Sequence, residues 1–168
     1  MTAAAHPAGL RRRLALAALA TPLALPALAQ PAGAGDNGLV TLPSAHALRP
    51  TLDRFGAAVR AAGWKVFAEI DHAAAARDAG LPLRGRTVVL FGNPAAGTPG
   101  MAANPTLALD LPMRVLVWED DQGGVHITRS TGADLASRVF ARHGATIPPE
   151  GQRGTEALLD RLARQAAQ

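Results

Sequence analysis

From residue 38 onward the spacing of apolar side chains switches between a period of two and a period near three and a half, and the switches mark out the elements. Gly38 to Pro43 alternates, which predicts a first strand with Val40 and Leu42 on one face. Leu48, Leu52, Phe55, Val59 and Ala62 then draw one stripe down a helix. Pro50 falls in its first turn, where the missing N–H does no harm, and Gly63 stands where a helix C-cap needs glycine. Trp64, Val66, Ala68 and Ile70 alternate with Lys65, Phe67 and Glu69, predicting a strand with the first set on the core. Ala73 to Ala79 predicts a short helix closed by Gly80, and Thr87 to Phe91 a buried strand ended by Gly92-Asn93-Pro94. Residues 95–109 read as a loop with room for one helical turn. Met113 to Trp118 and Val125 to Thr128 form a hairpin around the turn at 119–124. Leu135, Val139 and Phe140 predict a helix ending near Gly144. Beyond Pro148-Pro149, the leucines 158, 159 and 162 predict a last amphipathic helix, with Thr155 as its cap. That helix either packs back on the domain, meets a second copy or frays.

The first 29 residues follow different rules. Arg11, Arg12 and Arg13 precede an almost pure Leu and Ala run that closes on Ala27-Leu28-Ala29, the order of a secretory leader cleaved after Ala29. The run is shorter than a spanning helix needs and is broken by Pro22 and Pro26, so no stable membrane span is expected after cleavage. The arginine run fits either general export or the twin-arginine route. The expected organisation is a leader over 1–29, a Pro, Gly and Ala-rich lead-in over 30–38, a folded domain over 39–144, and a linker with a helix over 145–168. The expected location is the periplasm or the medium.

Charge and composition narrow the function. Three of the 17 basic residues belong to the leader, so residues 30–168 carry 14 basic against 13 acidic side chains. A chain so nearly neutral, with no Tyr, four Phe and two Trp, has neither the charge nor the stacking surface for nucleic acid. No Cys is present, which excludes disulfides, thiolate metal sites, a Cys nucleophile and a lipidated cysteine.

The words Val66-Phe67-Ala68-Glu69-Ile70-Asp71-His72, Phe91-Gly92-Asn93-Pro94, Gly97-Thr98-Pro99, Asp110-Leu111-Pro112 and Val117-Trp118-Glu119-Asp120 occur in one order over residues 39–144. In that order and spacing they resemble the domain-of-unknown-function 302 family. The resemblance implies an α+β two-layer sandwich, a curved, mostly antiparallel sheet in the order β-α-β-(α)-β-(α)-β-β-α, with a C-terminal helix added. Its topology is similar to that of the TATA-binding protein, and it implies a homodimer and no established reaction. This chain departs from the family in two places. Arg129-Ser130 stands where members carry Tyr-Asn, and Gly100 stands where an apolar residue precedes Met101.

Among polar groups, Asp71 and His72 sit at a strand-to-helix junction, where an imidazole beside a carboxylate suits a general base or a metal ligand. The plain alternative is that Asp71 caps the helix and His72 is a turn residue. Gly92, Asn93 and Pro94, followed by Gly97 and Gly100, could cradle an anion with backbone amides, or form a turn needing no ligand. Asp110 precedes a strand and could reach across to His72, or serve only as strand entry. Glu119, Asp120 and Asp121 read as a solvated turn, for they lack calcium-loop spacing. His46, His126 and His143 receive no role, and Ser44, Ser130 and Ser137 lack a hydrolase context. The expectation is a small-ligand or metal-binding module around Asp71, His72, Gly92, Asn93, Pro94 and Asp110, with no cofactor identified. An enzyme pairing His72 with Asp71 or Asp110 is the alternative, and a structural or assembly subunit is a third.

Overall fold

In the computed structural model the described residues are 37–168. The leader, its cleavage point after Ala29 and most of the lead-in lie outside them. Five strands make one antiparallel sheet: β1 (Leu39–Ser44), β2 (Lys65–Asp71), β3 (Arg86–Gly92), β4 (Met113–Glu119) and β5 (Val125–Ser130), in the spatial order β1-β5-β4-β3-β2. The first strand pairs with the last, Leu39 opposite Ser130 and Ser44 opposite Val125. This is the expected two-layer α+β sandwich.

Helices cover one face of the sheet. Val40, Leu42, Val89, Phe91, Val115, Val117, Val125 and Ile127 point toward α1 (Leu48–Ala61) and α5 (Pro149–Ala167) and are buried. Phe55 and Val59 of α1 and Leu162 and Ala163 of α5 meet them with no exposed surface. Phe55 stands edge-on to Phe91 at 5.2 Å between ring centroids, a favourable quadrupole geometry. The other face carries Val88, Leu90, Leu116, Trp118 and Thr128, all half-buried, and neither α1 nor α5 packs on it.

Three expectations are corrected. Strand β2 does not keep its alternation, because a bulge at Phe67 shifts the register between Val66 and Ala68. One extra residue reverses the faces beyond it. Val66 therefore pairs with core residue Phe91, whereas Ala68 and Ile70 pair with Leu90 and Val88 on the uncovered face, and Glu69 turns toward α1 to reach Arg49 at 2.8 Å. The loop expected over residues 95–109 is α3 (Pro94–Ala103) followed by a 3-10 turn (Pro105–Leu109). Its start is set by the Asn93 side chain accepting from Ala95 N–H and by Pro94 at the first helical position. Thr155 is not a cap, since α5 begins six residues earlier at Pro149.

The last helix is part of the core, and a buried charge fixes it there. Arg129, 3% exposed on the helix-facing side of β5, donates to Glu156 of α5 at 2.7 Å and lies 3.6 Å from Asp160. The second Glu156 oxygen accepts from Gly132 N–H at 2.7 Å. Gly132 opens a helical segment, α4 (Gly132–Asp134), that continues in wider π-type turns over Leu135–Phe140 and a tight turn over Ala141–His143. A Cβ at Gly132 would stand 2.3 Å from the Gln152 carbonyl oxygen, so only glycine lets α4 and α5 come this close. Burial pushes the Glu156 carboxyl up, but the Arg129 and Gly132 hydrogen bonds outweigh it and hold it below the usual carboxylate range.

Removal of the two ends of this pair should cost unequal amounts. Glu156→Ala leaves the buried guanidinium only the longer contact to Asp160 and the Ser130 carbonyl, and is expected to destabilise by about 3 kcal/mol. Arg129→Met leaves carboxylates that are about 40% exposed and can rehydrate, and is expected to cost only about 1 to 2 kcal/mol. Urea unfolding midpoints of the two variants at constant m-value test the order, and the reverse order would contradict the arrangement.

Candidate functional site

The six candidate residues separate to the two ends of the sheet. Asp71 ends β2 opposite Thr87, while Gly92 ends β3 opposite Lys65. The strand length between these ends is about 20 Å. Asp71 caps α2 (His72–Asp78), its Oδ1 accepting from Ala74 N–H at 2.9 Å, and both Asp71 and His72 are exposed. His72 and Asp110 are therefore not brought together. Among the described residues no group of three His, Cys, Asp or Glu side chains is placed to hold a metal ion.

Gly92, Asn93 and Pro94 lie at the opposite end and line a cavity of about 600 Å3. Its floor is Trp64, Phe67, Gly92 and Met113 at the ends of β2, β3 and β4. One wall is α3 with Gly97, Gly100 and Met101, and the other is Leu135, Ala136 and Phe140 of the π-helical turns, with Ile147 closing the side. The bulge contributes directly, because it brings Phe67 to Gly92, where a Cβ would lie 3.6 Å from Phe67 Cε2. At Gly100 a Cβ would press on Leu107 Cδ2 at 3.2 Å, so the glycine lets α3 close on that buried side chain.

The amides of the glycine-rich turn are not open to an anion. Ala95 N–H goes to Asn93 Oδ1 at 3.0 Å, and Ala96 and Gly97 N–H both go to Asn93 O. This is the self-contained turn, not the cradle.

Asp110 finds a partner the sequence did not single out. Its Oδ2 accepts from Arg142 Nε at 2.6 Å and meets His143 Nε2 at 2.5 Å, while His143 Nδ1 lies 3.0 Å from Thr106 Oγ1. Arg114 adds a fourth group, 3.7 Å from Asp110 Oδ1. The Asp110 and His143 side chains are less than 10% exposed. The Arg142 hydrogen bond, then that of His143, draws the Asp110 carboxyl down to about 2 against the opposing effect of burial. This cluster flanks the cavity in sequence, since Leu107, Leu111, Gly144 and Ala145 are lining residues. The peptide between Leu111 and Pro112 is cis. The remaining acidic turn is likewise closed: Asp120 accepts from Gln122 and Gly124 N–H and meets His126 Nε2 at 2.7 Å.

A group whose carboxyl is held below its ordinary value stabilises the fold above that value, and the contribution fades as pH falls through the lowered one. Asp110 should thus contribute fully above about pH 4 and lose its effect toward about pH 2. Asp110→Asn is expected to lower stability at neutral pH and to flatten the acid limb between those values. Thermal melts of both proteins across that range test this, and an unchanged slope in the variant would rule out Asp110 as the titrating group.

Residues 40–163 match the family described as Domain of unknown function DUF302. A solved structure of an uncharacterized conserved DUF302 protein from Bacillus stearothermophilus superposes with a TM-score of 0.63 over 77% of this chain and 98% of that one. At 14% identity, that likeness shows the fold alone. Over 103 residues the chain is 44% identical to proteins named Fluoride-specific ion channel FluC 1 from Brucella suis biovar 1 (strain 1330) and Brucella abortus biovar 1 (strain 9-941). Those residues are 61% of this chain but only 41% and 38% of the two relatives, so the chain spans about two fifths of their length. No helix among the described residues is long and apolar enough to cross a membrane.

Proposed function

The chain belongs to the DUF302 family, and from that premise we propose that it is an exported module that binds a small ligand in the cavity between α3 and the π-helical turns. The observation that carries this reading is the cavity itself. At about 600 Å3 it falls in the range of small-molecule sites, and its walls are mainly aliphatic and aromatic side chains, as such sites require. The leader read in the first 29 residues supports a place outside the cytoplasm. The uncovered sheet face, with Ile70 43% exposed beside half-buried Leu116 and Val88, supports a second copy as partner. Catalysis by His72 has little support, because His72 is exposed and lies away from both the cavity and Asp110.

Native mass spectrometry of protein purified from its own compartment tests this reading, reporting cleavage, oligomer size and retained ligand together. The expected spectrum is that of a dimer of chains starting at Gln30 and carrying a small molecule. A ligand at one hundred times its Kd should stabilise the fold by about 2.7 kcal/mol. A protein recovered empty, whose melting temperature no apolar small molecule raises, would remove the binding proposal.

A second reading rests on the stretch shared with the Brucella proteins. Because 103 residues so similar to these form part of a chain named as a fluoride channel, the domain is proposed to work with such a channel. Deleting it should then increase the sensitivity of the cell to fluoride. Growth indistinguishable from the parent across a fluoride series would count against this partnership.

A further inference from the structure

The cavity also states what kind of molecule it takes, an inference that rests on the binding reading above. None of its lining side chains is charged: the wall residues are Trp, Phe, Leu, Ile, Met, Pro, Ala and Gly, with Asn93, Asn104, Thr146 and Thr155 as the polar members. Of the charges nearest in sequence, Asp110 is held by Arg142 and His143, and the Lys65 ammonium lies over the Phe67 ring, 5.3 Å from its centroid. The start of α3 lines the cavity and has its first amides spent on Asn93. An ionic ligand that left water for this lining would meet no charged side chain in it, which carries a large desolvation cost.

Neutral polar groups are present, however. The Asn104, Thr146 and Thr155 side chains make no hydrogen bond to another described residue. A donor and acceptor set of amide and hydroxyls matches a hydroxyl or carbonyl on an otherwise apolar molecule. Gly97 and Gly100, three residues apart and so on one face of α3, both border the cavity. A Cβ at Gly97 would stand 3.6 Å from Leu111 Cδ1, and a longer side chain there would run into the space between α3 and the strand ends.

We propose that the cavity under α3 is a site for an uncharged, largely apolar small molecule, with the Gly97 and Gly100 face of that helix setting its size. The site discriminates against acids and amines of the same shape. Its selectivity comes from the absence of any charge in the lining, not from a specific ion pair.

Two fluorescent probes of similar shape test this with the folded protein: N-phenyl-1-naphthylamine, which is neutral, and 8-anilinonaphthalene-1-sulfonate, which adds a fixed negative charge. The neutral probe is expected to bind once per chain, and the sulfonate at least tenfold more weakly. Gly97→Leu should weaken the neutral probe at least tenfold with the melting temperature retained, and Gly97→Met provides the same test with a more flexible side chain should the first variant fold poorly. If both probes bind equally, or the sulfonate binds better, the claim of a charge-excluding site is overturned while the binding module stands. If the neutral probe binds but neither variant affects it, the probe lies elsewhere and the assignment to α3 fails. If neither probe binds, the cavity is not a site for this class, and the proposal fails together with its premise.

Discussion

A buried guanidinium decides how this sheet is covered. Arg129 lies on the helix-facing side of β5, among apolar neighbours, and is tolerated there only because Glu156 and Asp160 of α5 come to it. The same carboxylate takes the Gly132 amide, so one residue of α5 joins the last strand to the segment that follows it. With α5 fixed, Leu159, Leu162, Ala163 and Ala166 complete a layer that α1 alone covers only in part. The position of the π-helical turns follows from that clamp, and those turns form a wall of the cavity.

The cavity is thus a by-product of how three irregular pieces end. Strand β2 bulges at Phe67, α3 presents glycines inward, and the helix after Gly132 widens to π geometry over Leu135–Phe140. Each feature removes side-chain volume or backbone regularity from the same end of the sheet. A recess of this size with a mainly aliphatic and aromatic lining supports a use. The charged cluster of Asp110, Arg142, His143 and Thr106 lies outside it and pins the strand entry to the end of the helical segment.

Much of the architecture was legible from spacing alone, and the reasons for the failures are local. The stripe of Leu48, Leu52, Phe55 and Val59 is the buried face of α1, and the alternation in β4 and β5 places Val115, Val117, Val125 and Ile127 on the core. Strand β2 misled because its alternation looks regular through Phe67, and a bulge leaves no mark in a pattern of period two. The periodicity of helix α3 is erased by Gly97, Pro99 and Gly100, although Asn93-Pro94 carries a readable start signal. Asp110 was singled out, but its partner His143 is 33 residues away, and which end of the sheet each reaches depends on the strand order. Gly92, Asn93 and Pro94 were identified as near a site for their amides, whereas they line it as walls. Arg129, noted as a departure from the family, gave no hint of being buried, since its position on the helix-facing side follows from register.

The two tryptophans of the chain divide between the two sides of the sheet. Trp64 lies 6.2 Å from Phe91 and borders the cavity, whereas Trp118 stacks on His126 at 4.7 Å on the uncovered face and donates to Thr128. With no tyrosine to overlap them, the emission of the protein is the sum of two indoles in unlike surroundings. One indole borders the cavity and the other lies on the bare face, so variants that keep a single tryptophan report on each side of the sheet separately without any added label.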